Sequence, residues 1–176
     1  TQLRFMGEAF LGDAEKLLRE LYVAPPAAPR VWITLGKVIW RANTGMTGIR
    51  KDLSRANDAL DAFAHAAAIP AGRAEGLCER GTLLYQLGRF DEAEAATDES
   101  VQLAPVIRAV GNKAGLAIRR GDFAAAQAAV ARLSPEAQQS DDGILTAAWV
   151  WLHSGNADRC LDVLNTFPRD FLSGNP

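Results

Sequence analysis

The chain has 176 residues, 48% of them hydrophobic, and a formal net charge of −2. That balance supplies no bulk attraction to nucleic acid or to an anionic membrane, and no run of about 20 apolar residues exists to span a bilayer. Alanine is abundant while valine and isoleucine are sparse, which favours closely packed helices over strands.

Residues 1–24 read as a partial N-terminal helical repeat, with helices at 5–11 and 14–23 and a turn at Gly12 and Asp13. Pro25, Pro26 and Pro29 separate it from a second unit at 29–70. That unit opens on Trp32, Leu35, Gly36 and Ile39 and closes with a helix at about 53–68. There Ala56, Leu60 and Phe63 point inward and Pro70 terminates. Between its helices lies an insertion around 45–51 that the other units lack. It is expected either to fold over one end of a binding surface or to be neutral.

The third unit, 74–105, has helices at about 74–87 and 91–103. Gly88 makes the turn, Asp91 and Glu92 stand at the positive end of the second helix, and Pro105 follows it. The fourth, 107–135, pairs 107–120 with 123–133. The fifth, 141–168, pairs 141–154 with 157–167, and 169–176 is a tail. Apolar stripes at helical spacing, Leu77, Leu84, Phe90, Ala93 and Leu103 in the third unit and Ile144, Trp151, Leu152, Leu161 and Leu164 in the fifth, are expected to face the interior.

Gly88, Gly121 and Gly155 lie 33 and 34 residues apart and open similar phrases, Gly-Arg-Phe-Asp-Glu-Ala, Gly-Asp-Phe-Ala-Ala-Ala and Gly-Asn-Ala-Asp-Arg-Cys. A fixed period in this range means stacked copies of one unit, each burying its apolar face on the next. The expected fold is therefore all-α, an α-solenoid of stacked antiparallel helix hairpins.

These residues resemble the tetratricopeptide repeat family, whose unit is a ~34-residue helix–turn–helix with a W-x2-L-G-x2-Y…A-x3-F…P pattern. Trp32, Leu35, Gly36 and Ile39 match its first half. Gly81, Leu84, Gly88, Ala93 and Pro105 match across one whole repeat, and Ala114, Ala148, Ala126 and Cys160 take its small positions. Thr97, Val130 and Leu164 depart from it where the family has an aromatic. The resemblance implies a right-handed superhelix whose first helices line a concave groove.

Carried over by position, the groove residues are Arg30, Ile33, Lys37, Trp40 and Arg41, then Glu75, Cys78, Thr82, Tyr85 and Gln86. Next come Arg108, Gly111, Gly115, Ile118 and Arg119, and last Asp142, Leu145, Trp149, Leu152 and His153. Five are basic and two acidic, against −2 for the whole chain, and three are aromatic. Such a surface suits a protein or peptide of acidic and apolar character. Gly111 and Gly115 within a helix are expected either to admit a ligand closely or to let neighbouring helices pack. The family's clamp for a chaperone carboxylate lacks its donors here, since the corresponding places hold Ile33, Lys37 and Glu79, or Cys78, Thr82 and Asn112.

No catalytic motif, cofactor fingerprint or metal spacing is present: the only histidines are His65 and His153, and the only cysteines Cys78 and Cys160. The acidic cluster Asp91, Glu92, Glu94, Asp98 and Glu99 reads as a solvated face. The cysteines are expected to be reduced, at least partly buried thiols, which suits the cytoplasm. The expected function is a non-enzymatic protein-binding scaffold or adaptor, without cofactor, nucleic acid or membrane. The alternative is a substrate-presenting or regulatory arm of a larger enzyme such as a transferase or hydroxylase. A start at Thr1 is expected of a piece of a longer protein or a processed product. The last helix lacks a polar cap, so the open end is expected to meet another domain or another copy of the chain.

Overall fold

The computed structural model describes residues 2–22, 28–44 and 55–167, with side chains at 10–20, 28–41 and 55–167. All regular elements among them are helical: α1 (Gln2–Tyr22), α2 (Pro29–Thr44), α3 (Ala56–Ala68), a 3-10 turn (Pro70–Gly72), α4 (Arg73–Gln86), α5 (Phe90–Leu103), α6 (Ile107–Arg119), α7 (Phe123–Val130), α8 (Pro135–Gln139), α9 (Asp141–His153) and α10 (Ala157–Leu164). Chain neighbours pack together: α1 on α2, α2 on α3, α5 on α6, α6 on α7, α9 on α10. This is an α-solenoid of stacked helix hairpins. It divides into two compact units, 1–84 and 85–176. The insertion at 45–51 and the tail at 169–176 lie outside the described residues.

In the first unit, α1 differs from expectation: it runs unbroken through Gly12 and Asp13. A glycine inside a helix costs about 1 kcal/mol relative to alanine, which is too little to break a helix held by tertiary contacts. Leu11, Ala14, Glu15 and Leu18 supply those contacts as a half-buried stripe at helical spacing. Arg55 and Arg19 both donate to the Glu15 carboxylate, and the Arg55 hydrogen bond is the main cause that holds its pKa below the usual value. On α2, Leu35 and Ile39 are buried, as are Leu60, Phe63 and Ala66 on α3. Gly36 lets the helices meet: a methyl group there would come within 2.5 Å of the Phe63 ring.

In the second unit many of the fully buried positions are alanines. Ala93, Ala109, Ala114 and Ala126 are all completely buried, beside Val101 and Val110. The turns repeat with little variation. Gly88, Gly121 and Gly155 adopt φ of 78°, 76° and 75°, the left-handed region that glycine enters without steric penalty. After Gly121 and Gly155, Asp122 N–H donates to Ala117 O and Asn156 N–H to Trp151 O, both at 3.0 Å, closing the two helix ends. The Asp122 and Asn156 side chains then cap the next helices by accepting from Ala125 N–H and Arg159 N–H.

Two features escape the periodicity. Helix α7 stops at Val130, short of the expected 133, and α8 occupies what reads as a plain connection. Ser134 starts α8 by accepting from Ala137 N–H, and Ser140 starts α9 by accepting from Gly143 N–H. In addition Leu103, Leu152, Leu161 and Leu164, expected inward, are exposed, because no described element covers those sides of their helices.

Thr97 stands where the family has an aromatic residue. It is fully buried and its hydroxyl has no hydrogen-bond partner. A buried hydroxyl without a partner is destabilising, so the near-isosteric Thr97→Val is expected to raise stability by about 1 kcal/mol, measured by denaturant titration.

Candidate functional site

The residues of the expected groove divide between the two units. In the first, Arg30, Lys37 and Arg41 on α2 are exposed and Trp40 is half-buried. Lys37 Nζ lies 2.9 Å from Oε1 of the buried Glu79, so its charge already has a partner. The half-buried Thr82 donates its hydroxyl to Cys78 O at 2.9 Å, within its own helix. Glu75 is exposed one turn before Cys78.

Ile33 and Cys78 are corrections. Each is only 3% exposed and belongs to the core rather than to an open surface. Both are apolar, and covering such side chains favours the fold more than presenting them to water. Trp32, counted only as part of a motif, stacks on His65 with ring centroids 4.3 Å apart.

The second unit gathers more. At the end of α4, Tyr85 and Gln86 are exposed, and Tyr85 meets Phe90 edge to face at 5.6 Å. The Arg119 guanidinium lies 3.6 Å above the centroid of the same Phe90 ring. A guanidinium over an aromatic face engages the ring through its charge and keeps N–H donors that can bind a carboxylate. Phe90 belongs to the apolar stripe of the third unit, and its contact with Arg119 depends on a distance across helices that the stripe does not record.

Between α6 and α9 lies an open cleft of about 490 Å³, lined by Ile107, Arg108, Gly111, Asp142, Leu145, Thr146 and Trp149. Its floor follows from the glycines. A methyl group at Gly111 would sit 3.7 Å from Thr146 Cγ2. One at Gly115 would sit 3.6 Å from Trp149 Cη2 and 3.9 Å from the Tyr85 hydroxyl. These are ordinary contact distances. Gly111 therefore leaves space in the cleft without being forced by helix packing, whereas Gly115 is buried beside Trp149.

Trp149 also tilts against His153, with centroids 4.6 Å apart, and His153 Nδ1 is 2.9 Å from Trp149 O. A carbonyl can only accept, so Nδ1 is the donor in this contact. Ile118 is half-buried on α6. The structure thus brings Tyr85, Gly115 and Trp149 together, sets Arg119 on Phe90, and joins Arg108, Leu145 and Trp149 in one cleft.

The acidic helix α5 pairs with basic partners. Arg89 binds Glu92 through two nitrogens at 2.6 and 2.7 Å, Lys113 pairs with Asp98, and Arg120 forks onto Glu94. The Arg120 hydrogen bonds hold the Glu94 pKa below its usual value. Among the described residues, no group of three or more histidine, cysteine or acidic side chains gathers to hold a metal ion. None of their helices is long and apolar enough to cross a membrane. Both cysteines are buried and unbridged.

A larger cleft of about 660 Å³ opens on another side of α9, lined by residues that include Gln127, Val130, Gln138, Ile144, Trp151 and Val163. It was not anticipated, since it depends on the early end of α7 and on α8.

A family model for the tetratricopeptide repeat matches residues 74–105. No curated protein matches the sequence. Solved structures do match. The structure of MamA is 14% identical, with 92% of this chain and 88% of that one covered at a TM-score of 0.61. A tetratricopeptide repeat protein from Parabacteroides merdae ATCC 43184 is 18% identical, with a TM-score of 0.66. There 97% of this chain covers 64% of that one, just under two thirds of its length. YrrB, described as a TPR protein with an unusual peptide-binding site, is 16% identical, with 90% and 76% covered and a TM-score of 0.57. At these identities the likeness is one of fold. Residues 74–105 match a tetratricopeptide repeat, and the helices on either side share the fold of solved tetratricopeptide repeat proteins.

Proposed function

We propose that the chain is a non-catalytic protein-interaction scaffold, and that its second unit holds a peptide of acidic and apolar character across α6 and α9. The observation that carries this reading is the glycine-floored cleft edged by Arg108, Leu145 and Trp149. Apolar side chains of the peptide enter over Gly111, between Leu145 and Trp149. A peptide carboxylate meets the guanidinium of Arg119, held on Phe90. Tyr85, Gln86, Ile118 and His153 border the path. The tetratricopeptide repeat matched at 74–105 and the peptide-binding site named for YrrB, which shares the fold, support the same class of function. On the first unit, Arg30, Trp40, Arg41 and Thr82 form a separate surface of the same kind, with Lys37 tied to Glu79.

The test is fluorescence anisotropy with a labelled acidic peptide carrying spaced leucine and phenylalanine residues. Arg119→Glu is expected to weaken binding about tenfold, or about 1.4 kcal/mol. Arg41→Glu probes the first unit in the same assay. Both positions are exposed, so helicity should stay unchanged. Equal affinity of the unaltered chain and the Arg119→Glu variant removes the second unit from the reading.

A further inference from the structure

The cleft walled by α7, α8, α9 and α10 has no part in the peptide path. It shares no lining residue with the cleft of Arg108, Leu145 and Trp149. Its volume of about 660 Å³ lies in the range of small-molecule sites. Close-packed helices leave few voids larger than a water molecule, so an opening of this size departs from ordinary packing.

The wall that α8 supplies is fixed in advance. Ser134 and Ser140 cap α8 and α9 in turn, and Gln138 Nε2 donates to Leu133 O at 2.8 Å. The backbone of α9 at Gly143 lies so near α8 that a methyl group there would come within 1.8 Å of Ala137 O. A preformed wall spares a ligand the cost of ordering it.

The lining is selective in its chemistry. No charged side chain belongs to it, although 23% of the chain is charged. Arg132, Asp142 and Asp162 directly adjoin the lining residues Ala131, Gly143 and Val163 in the chain, and none of the three is on the wall. An ion entering such a site would lose hydration without meeting a counter-charge, a cost that a neutral molecule escapes. Along α9 the floor runs from Ile144 to Trp151, about 10.5 Å at the helical rise, and Val130 and Val163 flank it. The polar part is supplied by the carboxamides of Gln127, Gln138 and Gln139. A carboxamide both donates and accepts, and Gln138, with an N–H committed to Leu133, keeps its oxygen as an acceptor.

We propose that this cleft binds a small neutral molecule with an elongated apolar body and an amide-type head. The body lies along Ile144, Val163 and Trp151. The head exchanges hydrogen bonds with the carboxamides of Gln127 and Gln139. Carboxylates and ammonium compounds of the same length are rejected, because nothing in the lining pairs with their charge.

The experiment titrates the full chain with octanamide, octanoate and octylammonium, three probes of one chain length and different charge. NMR follows the glutamine side-chain amides and the tryptophan indole N–H groups. Octanamide is expected to shift the signals of Gln127, Gln139 and Trp151 saturably, and the two ions to bind about tenfold more weakly or worse. Ala147→Leu narrows the cleft from its own lining and should weaken octanamide about tenfold. Gln127→Glu keeps the size of the side chain and adds a charge, so octylammonium should gain on octanamide. Gln139→Glu, at an exposed position, makes the same test if Gln127→Glu loses helicity. Unmoved cleft signals overturn the proposal, as does octanoate binding as tightly as octanamide. So do shifts that include Trp149 equally, which would mark unselective apolar partition, and an Ala147→Leu variant that binds octanamide unchanged. Anisotropy with the acidic peptide reads the other cleft, so either reading can fail while the other stands.

Discussion

Gly143→Ala is expected to cost about 3 kcal/mol of stability, the upper end of what overpacking a core usually does. A methyl group at Gly143 would lie 1.8 Å from the carbonyl oxygen of Ala137 and 2.9 Å from its carbonyl carbon. These are backbone atoms of α8, so no side-chain rotation relieves the clash. Either α8 is pushed off α9 or the start of α9 unwinds, and the Ser140 cap on Gly143 N–H is lost with it. The measurement is the midpoint and slope of urea unfolding. A loss below about 1 kcal/mol would mean that α8 is not held against α9 as described. By contrast, alanine at Gly111 meets only Thr146 Cγ2 at an ordinary 3.7 Å.

Trp149→Ala is expected to weaken binding of the acidic apolar peptide about thirtyfold, or about 2 kcal/mol, as truncation of a central aromatic anchor does. The side chain lies beside Gly115, tilts against His153 and walls the cleft that also contains Arg108 and Leu145. It is partly exposed, so the fold should survive its removal. Anisotropy titration reads the loss, and Trp149→Phe should recover most of the affinity. An alanine variant that binds as tightly as the unaltered chain would place the ligand elsewhere.

How much of the site was legible differs residue by residue. Arg119, Tyr85, Leu145 and Trp149 are named by the place they hold in the family's repeat, and all four are exposed. Ile33 and Cys78 are named in the same way and yet are buried. Position within a repeat says which way a side chain leaves its helix, not how far the neighbouring helices overlap it. Phe90 under Arg119 and Glu79 on Lys37 depend on distances across helices, which no local pattern records. The larger cleft beside α9 depends on α8, whose only advance sign was Ser134 and Pro135 at its start.

The sequence by itself determined the helical class, the period and the turns. Those follow from local physics: three glycines in the left-handed region, prolines that bar continuation, and apolar residues at helical spacing. Tertiary structure decided the rest. It carried α1 straight through Gly12, because a stripe of half-buried contacts outweighs a preference of about 1 kcal/mol. It drew Ile33 and Cys78 inside and left Leu152, Leu161 and Leu164 outside. Burial is set by what lies across from a residue, and that partner is distant in the chain.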